Sequence, residues 1–375
     1  MATGKSPENK TSPENKSPKK LSIVEVSKRY GDVAALDSTD LDMAEGEFLT
    51  LLGPSGSGKT TLLSIVAGLT SPTTGEVWID GRCSTRLPPF KREIGMVFQN
   101  YALFPHLTVF ENIAFPLHMR RLPAVEVERE VRRVLDVIKL PQVADRFPRE
   151  LSGGQQQRIA LARCIVYSPS IVLMDEPLGA LDKNLRDHMQ MEIKRLHTEI
   201  GITVLYVTHD QEEALAMSDR ICLMNNARIE QVGTPDDLYF RPRSIFAASF
   251  LGESNILDGV VQAMGEKAVI SDQAGATFEA RPDARFKTKE RLCWMVRPES
   301  LRVTRDAGPP GNTLRGRLQD VVFAGGVTKI HVRTDQGGML VAKQLTTANG
   351  VPHQGEEVFV SWSGEDTVLL PAAAP

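Results

Sequence analysis

The chain has 375 residues, which is long enough for two domains, or for one large domain and one small one. Its 41% apolar and 24% charged residues are typical of globular proteins, so a sizeable core is expected. The formal net charge of −3 excludes a general basic field for nucleic acid or anionic lipid and leaves room only for local basic patches.

The sequence also lacks the marks of a membrane-spanning or secreted protein. No apolar run approaches the roughly 18 residues that a membrane-crossing helix needs. The N-terminus has no apolar middle of the kind found in signal peptides. We therefore expect a soluble, reduced, cytoplasmic protein that would serve a membrane only by docking onto a separate subunit. Its four cysteines have no metal-type or redox-type spacing: Cys83, Cys164, Cys222 and Cys293.

The first twenty residues predict a disordered tail. SPENK occurs at 6–10 and again at 12–16, and SPKK follows. Because Pro, Lys, Glu and Ser bury little apolar surface, such a segment cannot offset the entropy lost on ordering. A regulatory or electrostatic arm is the functional alternative.

Residues 21–250 predict an α/β domain with a parallel sheet and a helical subdomain over about 100–165. Two of the predicted strands, Ser170–Met174 and Ile202–Val207, are near-continuous apolar runs, which are typical of parallel strands buried on both faces. Strand–helix alternation favours the same architecture. The predicted strands are Leu21–Val26, Gly46–Leu52, Gly75–Asp80, Ser170–Met174 and Ile202–Val207. The predicted helices are Thr60–Gly68, 124–140, Gln155–Val166 and Leu185–Ile200.

Residues 251–375 predict a small all-β domain with a barrel-like arrangement. Short β-like segments are separated there by Gly, Pro and Asp turns. These segments are Leu292–Val296, Gly316–Val322, Thr328–Val332 and Glu357–Trp362.

A glycine-rich stretch predicts a phosphate-binding loop. It fits G-x-x-x-x-G-K-[ST] and stands after a predicted strand and before a predicted helix, as that motif requires. Its glycines let backbone N–H groups face a phosphate, and the helix start adds partial positive charge. Lys59 supplies a point charge for the β- and γ-phosphates, and the Thr60 hydroxyl suits Mg²⁺. The predicted ATP ligands are Gly53, Pro54, Ser55, Gly56, Ser57, Gly58, Lys59, Thr60 and Thr61.

Two further strands are predicted to present catalytic side chains at their carboxyl ends, where α/β sheets bind ligands. Asp175 and Glu176 directly follow the apolar run 171–174. Asp175 can hold Mg²⁺, and Glu176 can orient and deprotonate an attacking water. His209 follows the next run and can contact the γ-phosphate. The non-functional interpretations are that Asp175 and Glu176 belong to an ordinary acidic loop and that His209 is merely an exposed residue.

The segment 151–155, LSGGQ, predicts a second anion-binding helix start. Ser152 is a preferred N-cap residue, and the two glycines permit a close backbone approach. The N-terminus of the following helix favours negative charge. A plain turn before a helix is the alternative.

Together these motifs resemble the ATP-binding subunits of ABC transporters. The resemblance covers about residues 21–250, in the family's order and spacing, and no core motif departs from the pattern. It implies an ATPase that uses ATP and Mg²⁺. The motifs are GPSGSGKT at 53–60, Gln99 in MVFQN, LSGGQ at 151–155, LMDEP at 173–177, LGALD at 178–182 and THD at 208–210.

The resemblance also implies roles for single residues around one nucleotide. Tyr30 in KRYG matches the aromatic residue that stacks on adenine. Gln99 matches the residue that reaches Mg²⁺ and relays the nucleotide state to a membrane subunit. Glu176 would be the general base and His209 the γ-phosphate contact. The implied magnesium ligands are Thr60, Gln99 and Asp175.

In this family two cassettes meet head to tail, and each signature helix covers the ATP held by the other chain. The resemblance therefore implies a homodimer in which Ser152, Gly154 and Gln155 bind ATP across the interface and Asp182 lies at the seam. The segment Gln99–Phe115 resembles the surface that receives a membrane subunit, and a plain aromatic core is the alternative there. Its candidate contact residues are Tyr101, Leu103, Phe104 and His106.

Residues 251–375 resemble the accessory β-domain of importer ATPases, most clearly in VRPESLRV at 296–303. ALDKNLRDHMQ at 180–190 and FLGESNILDGVV at 250–261 are most similar to spermidine/putrescine importers. Fe³⁺, sulfate and sugars remain alternative cargoes. The resemblance implies a peripheral subunit on the cytoplasmic face of the inner membrane, bound to integral permease subunits and indirectly to a solute-binding protein, without nucleic acid.

Three other functions compete with this interpretation. A soluble ABC-type ATPase acting on nucleic acid would carry a long coiled-coil insertion or two cassettes in one chain, and this sequence has neither. In a small-molecule kinase the LSGGQ segment would have no function. A regulatory module without hydrolysis is disfavoured by the presence of Glu176 and His209.

Overall fold

The computed structural model describes residues 19–179, 181–307, 311–346 and 353–372. Their contacts divide the chain into two compact units. The first contains most of the chain up to Thr208, and the second contains residues 209–225 and most of the chain from Ile229 onward. The predicted domain limits at 20 and 250 stay predictions, apart from one correction. Lys19 and Lys20 already belong to a strand, and the rest of the predicted tail lies outside the described residues.

The first unit alternates strands and helices along the chain. In order, its strands are β1 (Lys19–Tyr30), β2 (Val33–Ala44), β3 (Phe48–Leu52), β4 (Thr74–Ile79), β5 (Arg82–Cys83), β6 (Ile94–Val97), β7 (Ile171–Asp175) and β8 (Val204–Thr208). Its helices are α1 (Lys59–Ala67), α2 (Val109–Met119), α3 (Ala124–Val137), α4 (Gly153–Ile165) and α5 (Lys183–Ile200).

The predicted parallel sheet is confirmed for the mainly apolar strands β6, β7 and β8. β3, β8, β7 and β6 are neighbours in that order, and both β6–β7 and β7–β8 run parallel. The first four residues of β7 and all residues of β8 are buried, as expected for strands covered on both faces. Consequently the carboxyl ends of β6, β7 and β8 lie at one edge of the sheet.

The strands predicted at Leu21–Val26 and Gly75–Asp80 belong to a different sheet. They are parts of β1 and β4, which pair antiparallel in the order β2–β1–β4–β5. Buried positions in β1 are interrupted by exposed ones, as in a strand with one solvent-facing side. Sequence interpretation missed β2, because VAALDSTDLDMA contains five polar residues that mask its buried face.

Short helices and strands alternate at the start of the second unit, and the chain beyond Phe250 is formed almost entirely of strands. Its helices are α6 (Gln211–Met217), α7 (Pro235–Phe240) and α8 (Ile245–Phe250). Its strands are β9 (Arg220–Asn225), β10 (Arg228–Gly233), β11 (Asn255–Met264), β12 (Ala268–Ser271), β13 (Thr277–Ala280), β14 (Arg291–Val296), β15 (Arg302–Thr304), β16 (Asn312–Ala324), β17 (Val327–Thr334), β18 (Met339–Leu345), β19 (Glu357–Trp362) and β20 (Val368–Pro371).

Two antiparallel sheets of five strands form the predicted all-β domain. Their strand orders are β13–β12–β11–β14–β20 and β15–β19–β16–β17–β18. Both sheets contribute to one apolar core, in which three aromatic rings pack against one another. Trp294 lies 5.7 Å from Trp362 and 5.2 Å from Phe278, measured between ring centroids. Large apolar rings packed this closely stabilise the contact between the two sheets.

Arg297, in the segment VRPE, joins this β-domain to α7 and α8. Its side chain is buried and donates hydrogen bonds to the backbone oxygens of Tyr239, Ala248 and Glu253 and to Ser254 Oγ. Its guanidinium also lies 4.1 Å from the ring centroid of Tyr239. A buried cation is stable only where its donors are paired, so Arg297 fixes these helices on the domain.

We expect Arg297→Leu to lower the free energy of unfolding by about 2–4 kcal/mol, because several buried carbonyls lose their donor. Urea denaturation followed by circular dichroism measures the change. Arg302→Leu, at an exposed position of β15, is the matched control and should stay within about 0.5 kcal/mol of the wild type. Equal destabilisation by both variants would contradict this role for Arg297.

Candidate nucleotide site

The glycine-rich stretch forms the turn between β3 and α1, where the motif requires it. Gly58 is the N-cap of α1, with a left-handed backbone at φ 99°. A Cβ built at this position would lie 3.0 Å from the backbone oxygen of Ala35, so both conformation and space favour glycine. Lys59, Thr60 and Thr61 form the first turn of α1. Their N–H groups belong to the part of a helix that binds anions.

One side chain here is suited to a phosphate and another to a cation beside it. Ser57 is buried, and its hydroxyl has no hydrogen-bond partner among the described residues. Because buried polar groups are normally paired, this hydroxyl is suited to donate to a phosphate oxygen. Thr60 is exposed and therefore accessible to a cation beside the phosphates.

A charged cluster of Lys59, Asp175 and Glu176 lies at the edge of the sheet. Lys59 is 5% exposed, and burial lowers its pKa while the carboxylates of Glu176 and Asp175 oppose that shift. Burial and then the charge of Glu176 raise the pKa of Asp175, and Lys59 opposes them. The structure thus brings together the lysine and the two carboxylates that the sequence predicted as phosphate and magnesium ligands and as general base.

Glu176 has an unusual backbone for a charged residue. Its φ is 45°, in the left-handed region, and its N–H donates to Val207 O over 3.0 Å. Asp175 pairs with Val207 in the parallel register of β7 and β8. Conformations of this kind cost free energy and cluster at functional sites, where surrounding contacts hold them. Glu176 thus lies immediately beyond the end of β7, in a strained conformation that its hydrogen bond to β8 holds.

Gln99 lies near the same strand ends. It follows β6 by two residues, and Val97 at the end of β6 pairs with Met174 in β7. A Cβ built at Gly179 would lie 3.6 Å from the side-chain nitrogen of Gln99 and 3.5 Å from Glu176 O. The amide of Gln99 is therefore beside the loop that follows Glu176.

These residues fit a magnesium ion. Mg²⁺ prefers oxygen ligands, and the Thr60 hydroxyl, the Gln99 amide and the Asp175 carboxylate all supply oxygen. Among the described residues, no group of three or more His, Cys, Asp or Glu side chains could hold a metal. A magnesium site would therefore depend on the hydroxyl, the amide and the phosphates of the nucleotide as well as on Asp175.

The LSGGQ segment opens α4 as predicted, but the helix begins two residues earlier than expected. Ser152 is the N-cap, and its hydroxyl accepts from the N–H of Gln155 over 3.4 Å. The Gln155 side chain accepts in return from the N–H of Ser152 over 3.0 Å. This capping box fixes the first turn of the helix. Both glycines are inside that turn, and a Cβ at Gly154 would lie 3.0 Å from Leu185 Cδ1.

Asp182 has a structural role within its own chain. It is the N-cap of α5, and its carboxylate accepts from the N–H of Leu185 over 3.0 Å. Since Leu185 packs on Gly154, this cap joins the start of α5 to the first turn of α4. The predicted position of Asp182 at a dimer seam stays a prediction, and Ala180 of the same motif lies outside the described residues.

The remaining predicted residues lie at the ends of strands. Tyr30 ends β1 and is 56% exposed, with Lys28 Nζ 4.9 Å from its ring centroid. The ring is thus available for stacking, and its role with adenine stays a prediction. His209 follows directly after β8, and its contact with the γ-phosphate also stays a prediction.

Sequence interpretation missed Arg92, which supports the far end of α1. Arg92 is buried and donates to Ile65 O and Val66 O over 2.7 and 2.8 Å. It also donates to Leu87 O and Thr85 O. A cation at the C-terminus of a helix pairs with its free carbonyls and dipole. No motif or periodicity marks this arginine, since its partners are backbone atoms.

Comparison with known proteins defines the class that this fold and site represent. Residues 36–179 match the ABC transporter family, and residues 294–370 match the TOBE domain. A solved dimeric structure of a bacterial ABC transporter cassette has 36% sequence identity and a TM-score of 0.51, covering 57% of this chain and 98% of that one. The class is that of ATP-hydrolysing ABC cassettes.

Relatives that match over nearly their whole length show which group of ABC cassettes this chain belongs to. The spermidine/putrescine import ATP-binding protein PotA of Rubrobacter xylanophilus is 46% identical over 94% of this chain and 94% of its own length. The protein of the same description from Thermotoga maritima is 41% identical over 93% of this chain and 97% of its own. The chain therefore belongs to the family of ABC importer ATP-binding proteins. None of the described helices combines the length and apolar character that crossing a membrane requires.

Proposed function

We propose that this chain energises polyamine import by hydrolysing ATP at the site described above. Lys59 and the first turn of α1 would bind the phosphates, and Tyr30 would stack on adenine. Glu176 would take a proton from the attacking water, while His209 would contact the γ-phosphate. Bound Mg²⁺, held by Thr60, Gln99 and Asp175, would neutralise charge on the phosphates.

The working unit would be a homodimer. Ser152, Gly154 and Gln155 are at the start of a capped helix, a position that favours anions. A second cassette placed head to tail would bring its bound nucleotide to this helix start. The solved relative described as a dimeric ABC transporter cassette supports this arrangement.

The dimer would bind integral permease subunits at the cytoplasmic face of the membrane, with a solute-binding protein on the other side. Spermidine and putrescine are the proposed cargo. The observation that carries this proposal is the 41–46% identity to several spermidine/putrescine import ATP-binding proteins over nearly the whole length of both chains. The match includes the accessory β-domain, which separates such subunits from bare cassettes.

Uptake in cells that carry Glu176→Gln in place of the natural chain tests the cargo. Radiolabelled spermidine and putrescine should enter at below about a tenth of the wild-type rate, because the general base is lost. Fe³⁺, sulfate and maltose uptake, measured in parallel, should be unchanged. Normal polyamine uptake together with loss of one of the other solutes would replace the proposed cargo by that solute.

A further inference from the structure

The segment after β6 has a strained backbone. Tyr101 and Ala102 are consecutive non-glycine residues in the left-handed region, with φ of 60° and 46°. Such conformations cost free energy and persist only where neighbouring contacts hold them. Tyr101 is also buried, and its hydroxyl has no hydrogen-bond partner among the described residues. Segment 98–104, which contains Gln99, therefore needs support from outside itself.

Arg163 of α4 supplies that support. Its Nη1 donates to Ala102 O over 2.8 Å, and its Nη2 donates to Tyr101 O over 2.9 Å. Its guanidinium also lies 5.4 Å from the ring centroid of Phe104. A planar guanidinium can hold two neighbouring carbonyls and stack on a ring at once, which the single ammonium of lysine cannot do. The contact thus stabilises the two strained residues directly.

A second anchor holds the continuation of this segment. Asn112 of α2 is fully buried and accepts from the N–H of Phe104 over 2.8 Å. Its amide nitrogen donates to the backbone oxygens of Phe104, Leu107 and Thr108. The chain from Tyr101 to Thr108 is therefore fastened by Arg163 at one end and by Asn112 at the other.

The aromatic side chains that follow Gln99 divide between core and surface. Tyr101 is buried, whereas Phe115 is 39% exposed and lies 4.6 Å from Phe104 between ring centroids. His106 is exposed beside Phe104. The position of this partly exposed aromatic group depends on the backbone that Arg163 and Asn112 hold.

Helix α4 connects this segment to the LSGGQ segment. The helix begins at the Ser152 cap. Near its other end, Cys164 Sγ donates to Met96 O over 2.9 Å, and Tyr167, just beyond the helix, donates to Ile94 O over 2.9 Å. These bonds join the helix to β6, and Arg163 extends the connection past the strand. A shift of α4 would therefore move the carbonyls that Arg163 holds.

We propose that Arg163 is a positioning residue for Gln99 and for the aromatic group beyond it. It makes the conformation of segment 98–104 depend on the position of α4, so that a displacement at Ser152 reaches Gln99. This inference rests on the proposed roles of Ser152 and Gln99 at the nucleotide.

Hydrogen–deuterium exchange of the full-length protein tests the inference. The N–H groups of Tyr101, Ala102 and Phe104 donate to Phe98 O, Asn100 O and Asn112 Oδ1 over 2.9, 2.7 and 2.8 Å. In Arg163→Gln these three amides should exchange about ten- to a hundredfold faster, because the strained backbone loses its charged donors. In Arg163→Lys the exchange rates of these amides should fall between those of Arg163→Gln and those of the wild type. If Arg163→Gln does not fold, the lysine variant tests the inference by itself.

Kinetics separate positioning from a general loss of structure. Both variants should lower kcat for ATP hydrolysis and raise the Mg²⁺ concentration needed for half-maximal rate, with the Kd for ATP without metal unchanged. Adding Ala102→Gly to the Arg163→Gln variant should slow the exchange again, since glycine adopts a φ of 46° without strain. Arg132→Gln, which removes an exposed arginine paired with Glu128 within α3, is the matched control and should leave the three amides unchanged.

Unchanged exchange at these amides in both Arg163 variants would overturn the inference, as would acceleration spread evenly over α4 and β6. The inference would also be overturned if Ala102→Gly did not slow the exchange in the Arg163→Gln variant. The exchange result is independent of the proposed chemistry. Full activity of Glu176→Gln would defeat the proposed hydrolytic role and leave the exchange measurement standing.

Discussion

Glu176→Gln is expected to bind MgATP with nearly wild-type affinity and to lose about two to four decades of ATP turnover. The amide keeps the size of the side chain and its place beyond β7, but it cannot accept the proton of the attacking water. Steady-state phosphate release measures kcat, and titration with a fluorescent ATP analogue measures the Kd.

The matched control for this variant is Glu126→Gln, in the exposed first turn of α3. It makes the same chemical change on the same purified protein and should leave kcat unchanged. Near-normal turnover in Glu176→Gln would show that another group accepts the proton. An equal loss in both variants would show that the effect is not specific to the site.

Lys59→Ala is expected to weaken ATP binding by at least about tenfold, because a buried charge–phosphate interaction is removed. Lys59 is already partly desolvated beside Asp175 and Glu176. Without it, the two carboxylates repel the phosphates with no cation between them. Isothermal titration of ATP, with and without Mg²⁺, measures the change in Kd.

Lys91→Ala, at an exposed position, is the control for the lysine substitution. It should bind ATP like the wild type. Unchanged affinity in Lys59→Ala would refute the phosphate-loop assignment. A melting temperature lowered by more than that of the control would instead indicate that the cluster of Lys59, Asp175 and Glu176 stabilises the fold itself.

Short sequence patterns were sufficient to predict three features of the candidate site. The glycine loop, the N-cap of Ser152 and the carboxylates after a buried strand are each defined by a few consecutive residues. The meeting of the glycine loop and the carboxylates at one sheet edge follows from parallel strands, whose carboxyl ends coincide. The register of Val97 with Met174 and of Asp175 with Val207 confirms that inference.

Features that depend on distant backbone atoms could not be predicted. Arg92 and Arg163 bind carbonyl groups, and a carbonyl group has no signature in the sequence. The left-handed backbone of Glu176, Tyr101 and Ala102 was missed for a related reason, because no glycine marks those positions. The predicted strand Leu21–Val26 lies within the longer β1, but its sheet was not predicted, since partner choice depends on segments far along the chain.

The stacked rings in the β-domain have an optical consequence. Two of the three tryptophans in the chain, Trp294 and Trp362, are buried there against Phe278, while the third, Trp78, is half-buried in β4. Intrinsic ultraviolet emission will therefore be dominated by the accessory domain. Its loss during denaturation records the melting of that domain, so a spectrometer can follow the β-domain without any label attached.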